Sequence, residues 1–213
     1  MTLKKNDFIE IEFTGKVKQG EVFDSNVKEQ IKKTGANTPA KPFIFPLGQG
    51  MFLKAIDEFL IGKKEKQKYS VELSAEQAFG KRNPQAIRLI PLAVFKQHKI
   101  NPYPGAVFNF DGKIAKVLSV SGGRIMVDFN HPLSGKDVNY DINVLRKVTD
   151  INEQINAISD FLFKKQFKFE IKQKKLIFSV EKQMVKFVEL FKQKFKDIFD
   201  LELEVKEISD STK

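Results

Sequence analysis

Residues Lys41 to Gly62, KPFIFPLGQGMFLKAIDEFLIG, place an aromatic strand, a glycine turn and a short helix in direct succession. Phe43 and Phe45 alternate as in a half-buried strand. Pro46, Gly48 and Gly50 break that pattern, and Phe52, Ile56, Phe59 and Leu60 then fall at helical spacing, with Gly62 as a stop. A helix entered through a glycine turn leaves its first backbone N–H groups free. An apolar wall beside such a donor can bind a peptide carbonyl together with its apolar neighbour. The same spacing also suits a strand and a helix packed in an ordinary core, so the segment alone leaves both readings open. In Val22-Phe23-Asp24-Ser25 a carboxylate directly follows a phenylalanine. It is either a polar group held against an apolar surface or a turn cap.

Nucleophilic catalysis has no support. There is no cysteine, no Gly-x-Ser-x-Gly elbow, no P-loop and no dinucleotide fingerprint. His98 and His131 are far apart and lack cysteine neighbours, which excludes a histidine-rich metal site; no metal or cofactor is expected.

The 213 residues suit one large domain or two smaller ones. Without cysteine no disulfide framework is possible. The start, MTLKKNDF, lacks the apolar core of a signal peptide, and no apolar run approaches a membrane span. The expected location is the cytoplasm. A net charge of +10 raises nucleic-acid or ribosome binding as an alternative. The lysines, however, are interleaved with acids, as in Lys63-Lys64-Glu65-Lys66, which favours a solvated surface.

Positioning elements read off in order. Residues 7–17 alternate as a strand, residues 26–41 read as a loop or irregular edge containing Gly35, Asn37 and Pro39, and Gln67 to Leu73 is a strand. Ile87, Leu89 and Ile90 suggest a strand, and Pro91 opens a short helix, LAVFKQH. Strands at 106–110, 114–120 and 124–129 follow, split by the hairpin signals Asp111-Gly112 and Gly122-Gly123. This is a compact, mostly β insert. The loop Asn130-His131-Pro132-Leu133-Ser134-Gly135 leads to a strand from Asp137 to Val144. The tail reads as a helix through Ile151, Ile155, Ile158 and Leu162, a hairpin, one longer amphipathic helix from Met184 to Phe199 and a strand from Leu201 to Val205. Its phenylalanines either fill a core or cover a partner.

Together these pieces resemble the FKBP-type peptidyl-prolyl isomerases: Phe13-Thr14-Gly15, Val22-Phe23-Asp24-Ser25, Pro42 to Gly48, Ala55-Ile56-Asp57, Ala78-Phe79-Gly80 and the strand with Tyr140. The insert followed by Asn130 to Gly135 resembles the SlyD-like group, in which an insert-in-flap domain interrupts the isomerase. The tail resembles the extra domain of long archaeal members. The resemblance implies an α+β fold: an antiparallel sheet wrapped on a short helix (here 52–60), a mostly β insert, and an α-β-β-α-β C-terminal domain. The implied domains are 1–86 with 130–149, 87–129, and 150–213. It implies prolyl cis-trans isomerisation with holdase and foldase activity on unfolded chains carrying X-Pro bonds; the phenylalanine load of the tail leaves open a homodimer through the C-terminal domain or association with clients. A chaperone with a weak or vestigial pocket is the alternative.

By motif match the implied catalytic residues are Phe23, Asp24, Phe43, Leu53, Phe79 and Tyr140, with substrate contacts at Phe13, Phe52, Ile56, His131 and Leu133. The implied chaperone surface is Ile87, Leu89, Val94, Phe95, Val107 and Phe108. The family usually carries tyrosine where this chain has Phe13 and Phe79, and often tryptophan where it has Ile56. These departures imply a working isomerase of lower efficiency than fuller matches.

Overall fold

Alternating burial along Phe8–Val17 (β1) sends Ile9, Ile11 and Phe13 into the protein while Glu10, Glu12 and Thr14 stay partly exposed. The computed structural model describes residues 1–34, 40–110 and 112–208. The readings at Gly35, Asn37, Pro39 and Asp111 lie outside the described residues.

After β1 come β2 (Val22–Ser25), α1 (Lys28–Thr34), β3 (Phe43–Pro46), α2 (Lys54–Leu60) and β4 (Gln67–Leu73). The insert holds β5 (Ile87–Pro91), α3 (Leu92–Gln97), β6 (Val107–Phe110), β7 (Lys113–Ser121) and β8 (Arg124–Asp128). The rest comprises β9 (Val138–Val148), α4 (Ile151–Phe163), β10 (Lys168–Lys172), β11 (Lys175–Glu181), α5 (Val185–Glu189), α6 (Lys192–Phe199) and β12 (Glu202–Ile208). The fold is α+β. One sheet has the order β2-β1-β9-β4 with β3 paired to β1, and two further sheets have the orders β5-β8-β7-β6 and β10-β11-β12. Among the described residues no helix is long and apolar enough to cross a membrane.

Contacts group the chain into two compact units. The first comprises residues 1–14, 24–71 and 141–213. In it β3 runs antiparallel to β1, with Ile9 opposite Phe45 and Ile11 opposite Phe43. Helix α2 seals this layer with Ile56 and Leu60, both fully buried. The C-terminal strands pair antiparallel between β10 and β11 and parallel between β11 and β12, and α5 and α6 make the crossover a parallel pair requires. Phe178 and Phe195 meet at the centre of this module, 5.3 Å apart.

Two expectations in this unit are corrected. Helix α1 occupies part of the stretch read as a loop; among its described side chains Ile31 alone is buried, too little apolar periodicity to register. The expected long helix 184–199 is broken between α5 and α6. Leu190 N–H and Phe191 N–H bond to carbonyls only three residues back, Phe187 and Val188, at 3.3 and 3.1 Å. The tightened turn leaves Phe187 and Phe191 both against Phe163, at 5.9 and 5.2 Å, and leaves Leu190 exposed.

The second unit comprises residues 15–23 and 72–140. The insert's sheet covers a core of Phe95, Ala106, Ala115, Val117, Ile125 and Val127. Gly122 and Gly123 take φ of +54° and +76°, as a two-residue hairpin turn needs. The chain segments that enter and leave the insert are tied together. Asn83 N–H donates to Asn130 Oδ1 at 2.8 Å, Asn130 Nδ2 donates back to Asn83 O at 3.0 Å, and Phe129 N–H donates to Ala86 O at 3.0 Å.

Candidate active site

In the first unit the expected residues form an aromatic group around the turn between β3 and α2. Phe13 lies 4.9 Å from Phe52 and 6.5 Å from Phe43, and Phe52 also meets Phe45 at 5.7 Å. Phe52 and Leu53 are half-buried, whereas Ile56 is fully buried beneath them on α2. Leu53 is the N-cap, with extended backbone and its carbonyl accepting from Ile56 N–H at 2.9 Å and Asp57 N–H at 3.0 Å. The amides of the first turn precede the point where intrahelical bonding begins. Asp24 keeps much of its surface exposed, yet loss of hydration raises its carboxyl above the ordinary range, opposed by the Ser25 backbone amide.

In the second unit Phe23 stands edge-on to both Phe79 and Tyr140, at 5.6 and 5.8 Å. Tyr140 is almost fully buried. Gly15 makes this packing possible: a Cβ there would sit 2.8 Å from Phe23 Cζ and 2.9 Å from Tyr140 Cε1. Phe79 in turn lies against His131. The loop carrying His131 and Leu133 is fastened to the Phe79–Gly80 backbone, since Ser134 Oγ donates to Phe79 O at 3.1 Å and Gly135 N–H to Gly80 O at 2.8 Å. Leu133 N–H donates to His131 Nδ1 at 3.2 Å, which fixes the imidazole's orientation.

The residues expected to form a chaperone surface divide. Leu89 and Val107 are each 59 % exposed, Ile87 and Val94 are half-buried, and Phe108 packs against the insert's core. Phe95 is corrected from surface to core: it is fully buried, with Phe108 and Phe110 packed against it. Ile114 and Met126 were not in that expected set. Both are exposed, and Met126 lies directly opposite Leu89. The alternation that buries Ala115 and Ile125 is the signal that points their neighbours outward.

Three other residues lay outside the expected set. Asp57, on α2, is 2 % exposed. Phe161, on α4, lies 6.0 Å from Phe43, and Lys194, on α6, reaches the turn before α2. A groove of about 460 Å³ opens elsewhere in the first unit, lined mainly by polar residues such as Glu12, Lys68, Ser70, Asp141 and Asn143. Of the expected residues only Phe13 borders it, so it is a different feature from the aromatic group.

The family model for the FKBP-type peptidyl-prolyl cis-trans isomerase matches residues 1–99, and that for the FKBP26 IF domain matches residues 88–133. The FKBP-type 16 kDa peptidyl-prolyl cis-trans isomerase of Escherichia coli (strain K12) is 30% identical over 149 residues, covering 68% of this chain and 93% of that protein. The short-type peptidyl-prolyl cis-trans isomerase of Methanocaldococcus jannaschii is 28% identical over 145 residues, covering 67% and 92%. With the Escherichia coli relative matched across two thirds of the chain and an insert-in-flap match at residues 88–133, the chain belongs to the FKBP-type peptidyl-prolyl cis-trans isomerase family.

Proposed function

We propose that this isomerase couples prolyl rotation to capture of unfolded polypeptide, in the cytoplasm, with residues 1–86 and 130–149 as the isomerase domain, 87–129 as the capturing insert and 150–213 as an accessory domain. The isomerase step needs no nucleophile. Peptide resonance sets a barrier of roughly 18–20 kcal/mol. A twisted prolyl amide loses resonance and much of its dipole, so an apolar surface solvates it relatively better than the planar ground state. A thousandfold acceleration needs only about 4 kcal/mol.

In this reading Phe43, Phe52 and Ile56 offer the first unit's apolar surface to a proline ring, with Phe13 supporting Phe52, and Phe23 and Tyr140 offer an apolar surface in the second unit. The Leu53 N–H holds the carbonyl after proline, and Asp24 acts electrostatically on the twisting amide. Phe79, His131 and Leu133 border the surface of the second unit. Phe79 brings no hydroxyl to a substrate carbonyl, which lowers efficiency without removing the apolar contribution.

The observation that carries the capture step is the outer face of the insert. Leu89, Val107 and Ile114 are each about 60 % exposed, above a core that is already closed by Phe95, Val117 and Val127. Linking a weak capture surface to a weak catalytic site raises the local concentration of client at the pocket. The triple variant Leu89→Ser, Val107→Ser, Ile114→Ser tests this, because none of the three supports the core. It is expected to turn over a short prolyl tetrapeptide at the parent rate while slowing refolding of a proline-limited protein about tenfold. Equal loss in both assays, or none in either, would remove the capture step.

A homodimer through the C-terminal domain is the remaining part of the proposal, supported by exposed Phe187 and Leu190 on adjoining turns. Sedimentation of Leu190→Glu beside the parent tests it; a parent that is monomeric at high concentration would end it.

A further inference from the structure

The turn between β3 and α2 is held from two sides. From inside, Asp57 Oδ2 accepts from Gly50 N–H at 3.2 Å. From the C-terminal module, Lys194 Nζ on α6 donates to Gln49 O at 2.6 Å. Between these two contacts the backbone passes through Gly48 and Gly50, with φ of +76° and +67°. Glycine places little steric limit on such a path, so hydrogen bonds must define it. The turn then runs directly into Phe52 and Leu53.

Asp57 is an unusual anchor. It is 2 % exposed, and its Oδ1 has no hydrogen-bond partner among the described residues. Burying a carboxylate this poorly matched is expensive, and a simple structural anchor would do as well with an amide. Lys194 is the cation that acts on it. The other groups acting on Asp57 are the backbone amides of Gly48 and Gly50, which favour its anion, and Glu58 on its own helix, which opposes it. Burial dominates and pushes the carboxyl up to about 6, so its charge changes within the neutral-to-mildly-acid range. The C-terminal module is seated on the same layer by other contacts: Phe199 stacks on Phe8 at 5.5 Å, Phe161 reaches Phe43, and Lys41 pairs with Asp160 at 3.1 Å.

We propose that Lys194 and Asp57 are positioning residues for the isomerase, clamping the 48–50 turn between the C-terminal module and α2 so that Phe52 and Leu53 are presented to the prolyl peptide. The inference rests on the reading that Phe52 and Leu53 hold that peptide. It makes the C-terminal module a part of the catalytic apparatus rather than an appendage.

The test is exchange spectroscopy by NMR on a short prolyl peptide, with no coupling protease, from pH 5 to pH 8. Lys194→Met is expected to lower kcat/KM about fivefold, the effect of one lost hydrogen bond of about 1 kcal/mol, and Lys194→Arg to restore it. The inflection that Asp57 gives the parent profile is expected to move to higher pH in Lys194→Met and to vanish in Asp57→Asn. A purely structural role would move neither the profile nor the Arg rescue. An unchanged rate and profile in Lys194→Met, beside a clear loss in Phe52→Ala, would overturn the clamp and leave the prolyl reading standing. No loss in either variant would overturn both.

Discussion

Phe79 lies flat on His131, with ring centroids 4.9 Å apart and planes within 5° of parallel. The contact joins the segment before the insert to the loop after it, and Ser134 and Gly135 fasten that loop to the same backbone. The ring that lacks a hydroxyl is therefore held firmly in place, and only the polar group is missing.

Restoring that group is a direct measure of its worth. Phe79→Tyr keeps the ring stack and adds one donor. A net hydrogen bond of about 1 kcal/mol corresponds to about fivefold in rate, so kcat/KM on a prolyl tetrapeptide should rise by that order. His131→Ala should act in the opposite direction, removing an aromatic pair worth about 1 kcal/mol. Unchanged kinetics in both variants would show that Phe79 stands away from the reacting amide.

Gly15→Ala tests the packing of Phe23 on Tyr140. The added methyl carbon would lie 2.8 Å from Phe23 Cζ and 2.9 Å from Tyr140 Cε1, closer than real contacts allow. Both rings must shift. Overpacking of this kind costs about 1–3 kcal/mol, read as a lower melting temperature, and turnover should fall about tenfold if these rings bound the proline. A stability loss without a kinetic one would separate the cluster from catalysis.

Asn130 bears on the neck of the insert. Its amide exchanges two hydrogen bonds with the backbone of Asn83 and also donates to Asp128 Oδ1 at 2.7 Å. Asn130→Ala removes all three side-chain bonds and frees the insert to swing. Tetrapeptide turnover should stay near the parent value, while refolding of a proline-limited client should slow about threefold as effective concentration falls. Faster hydrogen exchange at the Asn83 and Phe129 amides would confirm the loosened neck, and unchanged protection there would show that the amide pair does not govern it.

Legibility followed the strength of the periodic signal. Strand β4 was read at its observed bounds, and the insert's strands within a few residues, because alternation and paired glycines coincide there. Helix α1 escaped because one buried isoleucine makes no pattern. Phe95 was assigned to a surface because an apolar residue in a short helix does not declare which side is covered. Asp57 enters the sequence reading only as the end of the Ala55-Ile56-Asp57 motif and with no role of its own, since burial of a carboxylate is a tertiary fact. Lys194 and Phe161 stand more than a hundred residues from the turn and strand they touch, Gln49 and Phe43, a relation that no local spacing records.

Asp57 yields the sharpest pH prediction. Its native carboxyl is raised to about 6, chiefly by burial, whereas an unfolded aspartate titrates near its ordinary value of 3.8. Between those values the native state holds a proton that the unfolded chain has lost. The unfolded state then binds fewer protons, so stability contributed through this group falls as pH rises from about 4 to about 6 and stays low above that. The difference of roughly two pH units corresponds to about 3 kcal/mol. Asp57→Asn carries no such charge and should lack this slope, so its unfolding free energy relative to the parent should climb by about that amount between pH 4 and pH 7. Other carboxylates titrate in the same range in both proteins and cancel in the difference. Urea unfolding of the pair at several pH values reads it directly: a difference that stays flat would mean the carboxylate is solvated in the native protein, and a difference of the opposite sign would mean that a partner stabilises its anion.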